Sequence, residues 1–457
     1  MLYTDLLFVF AFLPITVIVS LFDRSAEYKN LILVISSVIF FTWGRPAIIL
    51  LLFLTIIADY LFGLLADSEK KPLRVMGLIL SIIMNGGFFV VFARNYLFDK
   101  GELLGKLSSL SFADKLIPLG IAFYTLRGVS YVFDVYKKNT EVEKNPFCIL
   151  TYMVSFHFMF AGPVVRYGDI RGEIRERKVG FSEINDGFTR FVYGLGKAVV
   201  VAPVFKKLME AGLVYENLTR TGAVFGMIGF LMYYFWSFWG YTDMALGLGL
   251  MNGFHYKENM LPMSFTKGLS HTAYAFNGSV TRLSSDVLVY RGEKKILYIL
   301  TGIFCSLFVG LWYGFYKGAL AGALVLGIFV ILENLLLKKH FDKIPKILIA
   351  FYTFTITVAS ACMFCFDAFW KGRKWIFALL GKADGIKSEA VMEILKTNYV
   401  VVAFGIVFAF PIARFIVKKI GEFLSKHKCY GLVRISQTIF TAVIFAMYTV
   451  ISYHGVK

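Results

Sequence analysis

Seven residues with side chains capable of chemistry stand in or beside stretches that are otherwise almost wholly apolar: Arg127, Ser237, Tyr241, Asp243, Asn277, Trp312 and Tyr313. The stretch Phe308-Val309-Gly310-Leu311-Trp312-Tyr313-Gly314 closes an apolar run that begins at Ile296. It carries an indole, a phenol and two backbone-exposing glycines where a membrane helix would ordinarily carry Leu, Ile and Val. A neutral phenol can donate a hydrogen bond to a developing oxyanion. With a reference pKa near ~10 it is a poor proton acceptor. The plainer reading of Tyr313 is an aromatic at the end of a span.

The other polar groups are expected to converge on this stretch. Asp243, inside an apolar run, is costly unless it is paired internally or serves function. Asn277 can polarise an acyl carbonyl or, as Asn277-Gly278, form a turn, and the turn is the preferred reading. Arg127, in mid-span, suits an anionic carrier or a phosphate, whereas Arg166 reads as an ordinary interface charge. Of the histidines, His340, His427 and His454 fall in basic loops or the tail, and His157 is the one placed near a cavity. His271 is a lesser candidate for a relocated base. The five cysteines are scattered, and Cys362-x-x-Cys365 has no second pair, so neither a zinc site nor a disulfide framework follows. No metal site is expected, and no bound cofactor.

The elements that must position these residues are membrane helices. Apolar residues make up 58% of the 457, charged residues only 17%, and mean hydropathy is +0.68, well on the apolar side of soluble proteins. Solid apolar blocks, rather than short alternating segments, disfavour a β-barrel. The net charge of +18 sits in short loops such as Lys70-Lys71, Lys137-Lys138 and Lys338-Lys339, which is the pattern of cytoplasmic loops against lipid head groups and not of nucleic-acid binding.

Spans are expected at 6–22, 31–43, 46–66, 75–98, 116–133, 222–254, 296–313, 318–337, 347–366, 399–417 and 430–452. Residues 147–160 are short for a crossing and read as a re-entrant half-helix. Residues 188–205, with Arg190 and Lys197, read as interfacial. Residues 222–254 form one long tilted helix or two with a break near Gly240, and 258–295 a surface or cavity segment. The expectation is an all-α polytopic membrane protein of about eleven helices around a central funnel or tunnel, with re-entrant and interfacial segments. It forms one domain over 1–457, lies in the plasma membrane and has its N-terminus outside, because basic residues follow the first span and none precedes it.

Several pieces in order resemble the membrane-bound O-acyltransferase family, in its alginate O-acetyltransferase and D-alanyl-transfer branch. They are Trp43-Gly44 with Asp59-Tyr60; Ile117-Pro118-Leu119-Gly120-Ile121-Ala122-Phe123; Ser130-Tyr131 with Asp134-Val135-Tyr136; Ala161-Gly162-Pro163-Val164-Val165-Arg166-Tyr167; Gly240-Tyr241-Thr242-Asp243-Met244-Ala245; Asn252-Gly253-Phe254; and Leu311-Trp312-Tyr313-Gly314. The resemblance implies a helical bundle around a tunnel, in which an acyl donor on one side meets a hydroxyl acceptor on the other. It also implies an intramembrane histidine as base, a role that suits imidazole.

The departures cluster at that centre. Tyr313 stands where the resemblance has histidine, Ser237 where it has aspartate, and Phe276-Asn277 at the Trp-His or Trp-Asn position. Tyr313 and Asn277 are therefore the implied catalytic positions, with Ser237, Tyr241, Asp243, Trp312 and Arg127 lining the tunnel. The implied function is transfer of an acetyl or similar acyl group to cell-envelope polysaccharide, with catalysis lost or altered. The alternative is a non-catalytic scaffold or binding subunit in a glycan-modification complex. A transporter stands behind both, since no inverted repeat is found. Acetyl-CoA or an acyl carrier is the implied donor. Membrane lipids and an extracellular glycan-modifying or acyl-carrier protein are the implied partners.

Overall fold

The computed structural model describes residues 1–23, 25–43, 48–97, 121–158, 162–214, 216–287, 317–366, 369–382, 384–412 and 430–455, with isolated positions in 296–310 and 415–423. Among the described residues the regular structure is helical, with no strand. Seven helical stretches are long and apolar enough to cross a membrane: Ile49–Ala66, Phe181–Gly212, Arg220–Met251, Gly318–Lys343, Lys346–Cys365, Glu389–Ala409 and Arg434–His454. This is an all-α polytopic membrane protein.

The chain divides into two compact units, Met1–Tyr193 with Tyr241–Lys257, and Gly194–Gly240 with Glu258–Lys457. The first unit begins with a π-helical turn, Phe8–Phe12, running into α1 (Leu13–Ser20) and then α2 (Ala26–Thr42), which Ser25 caps by accepting from the Tyr28 N–H at 3.3 Å. Helices α3 (Ile48–Ala66), α4 (Lys71–Leu97) and α5 (Ile121–Tyr136) pack mutually. On α3, Leu50, Leu54, Ile57 and Leu61 are each at least half exposed while Leu52, Thr55, Ile56 and Asp59 are buried. An apolar exposed stripe at helical spacing suits hydrocarbon, and the opposite face turns inward to the protein.

Next comes α6 (Pro146–Val154), capped by Asn145 with Pro146 in its first turn, followed by a 3₁₀ turn, Phe156–Phe158. At nine residues, or about 14 Å, α6 reaches only about halfway across a bilayer core. The stretch read as a re-entrant half-helix thus holds a short helix, most of whose residues are buried. Helices α7 (Tyr167–Arg175) and α8 (Phe181–Leu195) complete the first unit's order up to its return segment.

A π-helical turn, Gly196–Val201, joins α8 to α9 (Ala202–Gly212). The stretch 188–205, read as interfacial, is therefore part of a continuous 32-residue apolar helical segment. Helix α10 (Arg220–Met251) is one helix without a break at Gly240, where the backbone of Gly194 and Ala198 approaches too closely for a Cβ. The second unit continues through α11 (Leu269–Phe276), α12 (Gly278–Val287), α13 (Lys317–Leu332), α14 (Lys346–Cys365), α15 (Phe369–Leu379), α16 (Glu389–Ala409) and α17 (Tyr430–Gly455). Its core gathers Phe205, Leu208, Phe235, Trp236, Val391 and Val402, and Trp236 Nε1 donates to the Gly405 carbonyl at 3.1 Å. The segment expected to avoid spanning, 258–295, forms the short helices α11 and α12 over its described part.

Candidate functional site

In the first unit Asp243 meets Arg190, whose Nε and Nη2 donate to its Oδ1 at 3.1 and 3.0 Å. Close helix approach makes this possible. A Cβ on Gly187 would lie 2.6 Å from the Gly247 carbonyl oxygen, and one on Gly247 would lie 2.5 Å from that of Gly187. Both glycines sit one turn from the ion pair, in the manner of small-residue contacts between membrane helices. Asp243 is thus internally paired, and Arg190 is its partner.

Arg127, on α5, is enclosed. Its Nη1 donates to the Tyr152 carbonyl at 3.1 Å and its guanidinium lies 4.4 Å from the centre of the Phe158 ring. Tyr241 stands 6.5 Å from Tyr3, ring centre to ring centre, beside an aromatic cluster of Tyr3, Phe8, Phe40 and Phe156. The Tyr3 hydroxyl donates to the Phe156 carbonyl. His157, next in the chain, shares a 2.7 Å hydrogen bond between its Nε2 and the Tyr256 hydroxyl, and its ring stacks on Tyr256 and leans on Phe254. Tyr256 has no local sequence signal. Its role arises from the chain's return after α10.

The loop between α5 and α6 holds a second polar centre. Glu143 is buried and accepts from the Tyr167 hydroxyl, from Arg175 Nη2 at 2.8 Å and from the Asn145 N–H at 2.9 Å. Burial raises a carboxyl, but the Tyr167, Asn145 and Arg175 donors together outweigh it and hold Glu143 below the usual range. Burial and the bond to Glu143 push the Tyr167 phenol up. A cavity of about 390 Å³ opens here, lined by Asp67, Glu141, Glu143, Lys144, Arg171 and Arg175.

In the second unit Ser237 is half-buried on α10 between Trp236 and Phe238. Asn277 caps α12, its Oδ1 accepting from the Val280 N–H at 3.3 Å and the Ser279 hydroxyl at 3.2 Å. It stands between α11 and α12, with Gly278 the first residue of the second helix. Glu333, buried on the π-helical turn after α13, accepts from the Leu269 and Ser270 N–H groups at 2.6 and 2.8 Å, and so caps α11. On α11, burial and then Lys267 push His271 below its ordinary value, leaving a neutral imidazole near pH 7.

Arg127, Tyr241 and Asp243 therefore fall in one unit, and Ser237 and Asn277 in the other. Trp312 and Tyr313 lie outside the described residues, and with them the point of expected convergence. Among the described residues no group of three or more His, Cys, Asp and Glu side chains could hold a metal ion.

No family model matches the chain. Among curated proteins it is similar to the probable alginate O-acetylase AlgI of Pseudomonas aeruginosa, at 30% identity over 268 residues, 57% of this chain and 51% of that protein. It is similar to the protein of that name from Pseudomonas syringae pv. tomato, at 30% over 267 residues with the same shares. It also matches a peptidoglycan O-acetyltransferase of Helicobacter pylori, at 26% over 300 residues, 58% of this chain and 56% of that protein. The resemblance to the membrane-bound O-acyltransferases holds. The chain spans about half the length of the curated relatives it matches. These relatives are named for O-acetylation of alginate and of peptidoglycan.

Proposed function

We propose that this protein is an O-acyltransferase-type membrane protein that transfers an acetyl or similar acyl group to hydroxyls of a cell-envelope polysaccharide, with its reaction altered at the centre. The observation that carries the reading is similarity to proteins named as an alginate O-acetylase and a peptidoglycan O-acetyltransferase, on an all-α membrane scaffold. The donor is acetyl-CoA or an acyl carrier, and the setting is the plasma membrane with the N-terminus outside. An extracellular glycan-modifying protein is the expected partner.

In the transfer the acceptor oxygen forms a bond to the acyl carbon, the donor's C–S bond breaks, and the acceptor's proton ends on the departing thiol. Tyr313 replaces the histidine implied by the resemblance. A phenol supplies a hydrogen bond to the oxyanion rather than a proton acceptor, so proton removal falls to another group. That substitution also favours a second reading, a scaffold that binds donor or partner without transfer.

Labelled acyl transfer by the purified protein in lipid separates the two. The proposal expects wild-type turnover that falls about 100-fold or more in Tyr313→Phe, the scale of losing one oxyanion donor. Silence in wild type with recovery in Tyr313→His identifies a tunnel that lost only its base. Silence in both with donor binding retained establishes the scaffold.

A further inference from the structure

Asp59 lies towards the middle of the span Ile49–Ala66 and is 2% exposed. The Ser81 hydroxyl donates to its Oδ1 at 2.8 Å, and Asn85 Nδ2 donates to Oδ1 and Oδ2 at 2.9 and 3.2 Å. Both donors come from α4 and both are neutral. Among the described residues no Lys, Arg or His pairs with Asp59. Gly128 on α5 closes the third side, since a Cβ there would sit 2.0 Å from Asp59 Oδ2. A carboxylate held in hydrocarbon by neutral donors alone carries an uncompensated charge, and such residues mark ion or proton sites.

A second observation points the same way. Asn85, 1% exposed, leaves its own Oδ1 buried without a hydrogen-bond partner although its amide group lies against Asp59. Tyr124, 3% exposed and one turn before Gly128 on α5, brings a buried phenol to the same side of the helix, with Thr55 of α3 beside its hydroxyl. Asn85 turns its Nδ2 rather than its oxygen to Asp59, so the oxygens that a hard cation would meet first are the Asp59 carboxylate and the Ser81 hydroxyl, with no nitrogen base among them.

We infer that the Asp59–Ser81–Asn85–Tyr124 cluster between α3, α4 and α5 is an intramembrane site for a single positive charge, filled by Na⁺ or by a proton taken up from water. The cluster goes beyond the acyl-transfer reading and does not depend on it. Charged and titratable groups also stand on the neighbouring elements, among them Asp134 on α5, which is paired with Arg166 at 3.4 Å. Arg127 on α5 is turned to the Tyr152 carbonyl and the Phe158 ring, and Arg74 at the start of α4 lies over the Tyr136 ring. Tyr60 on α3 donates to the Lys144 carbonyl, Tyr131 on α5 accepts from the Glu143 N–H, and Tyr152 on α6 donates to the Val165 carbonyl. Glu27 and Lys29 lie in the first turn of α2, and Cys148 on α6 is a thiol.

The test is thermal unfolding of the full chain in lipid nanodiscs, with Na⁺ replaced by N-methylglucamine at constant ionic strength and with pH varied separately. A ligand of the folded state alone raises stability with its concentration. The site is a sodium site when unfolding temperature rises with Na⁺ in wild type and not in Asp59→Asn. It is a proton site when wild type ignores Na⁺ but loses stability as pH rises through and above neutrality, Asp59→Asn stays flat over that range, and a carboxylic-acid C=O infrared band disappears in that variant. Should Asp59→Asn not fold, Tyr124→Phe, which removes one buried oxygen of the cluster, is expected to raise the half-effect concentration of Na⁺ several-fold or to shift the pH limb. A wild type indifferent to both Na⁺ and pH, or dependences that survive in Asp59→Asn, overturns the site.

Discussion

The first unit buries two carboxylates by opposite means. Glu143, in the loop between α5 and α6, is met by Arg175, by a phenol and by a backbone N–H beside an open cavity. Asp59, within a span, is met only by the hydroxyl of Ser81 and the amide of Asn85. Near water a flexible, half-exposed arginine can reach inward to balance a charge, as Arg175 does. Inside the bilayer each further fixed charge adds its own desolvation cost. There the helices supply neutral donors instead and leave the charge to be balanced from solution.

The largest expected effect breaks the Asp59 arrangement sterically. Gly128→Ala places a methyl 2.0 Å from Asp59 Oδ2, so the carboxyl must leave Ser81 and Asn85. Overpacking together with lost hydrogen bonds to a carboxylate predicts destabilisation of about 2–4 kcal/mol. Adding Asp59→Ala should recover most of it, giving a coupling of about 1 kcal/mol or more in a double-mutant cycle of unfolding. Full additivity would show that the clash lies elsewhere. Asp59→Asn alone, which keeps the shape and removes the charge, should cost less than about 1 kcal/mol.

At the other carboxylate, charge removal should matter more. Glu143→Gln leaves Arg175 and Tyr167 without their ionised acceptor, and a loss of about 1.5–3 kcal/mol is expected by chemical denaturation. The lower half of that range is favoured because Arg175 is half-exposed. Equal costs for Asp59→Asn and Glu143→Gln would erase the contrast between the two sites.

Acid titration sharpens it further. Glu143 is held below its ordinary value in the folded state. Its contribution is therefore fully present above the unfolded carboxyl's pKa of about 4.3 and is lost as pH falls through the folded value. The stability difference between wild type and Glu143→Gln should be constant near neutrality and shrink steadily in acid. A difference that grows in acid would mean that Glu143 is stabilised as the neutral acid instead.

How much of this was legible beforehand follows from the kind of signal each feature leaves. Long apolar runs mark the candidate spans, and the short run 147–160 before Ala161-Gly162-Pro163 marks the short buried helix α6. Asp243 in an apolar run announces a need for a partner, and Asn277-Gly278, readable as a turn, is found as the cap of α12. Arg190 was harder to place, because a charge in an apolar helix reads equally as an interfacial residue until its partner is seen. Ser81 and Asn85 lie 22 and 26 residues from Asp59, on another helix, and nothing in hydrophobic periodicity connects them. Tyr256 and Glu333 were missed for the same reason, since each acts through tertiary contacts that local sequence does not encode.

The smallest effect concerns whether the two carboxylates communicate. Asp59 and Tyr60 are neighbours on α3 but face different groups. Asp59 turns to α4 and α5, while the Tyr60 hydroxyl donates to the Lys144 carbonyl at 2.8 Å, one residue past Glu143. That bond is near solvent, so Tyr60→Phe should cost only about 0.5–1 kcal/mol. If α3 merely carries two independent contacts, its effect should add to that of Asp59→Asn within about 0.5 kcal/mol. A larger coupling would mean that the charge state at Asp59 shifts α3 enough to strain the Glu143 loop. The membrane-embedded carboxyl would then control the water-facing one, and their contrast would be a division of labour within one device.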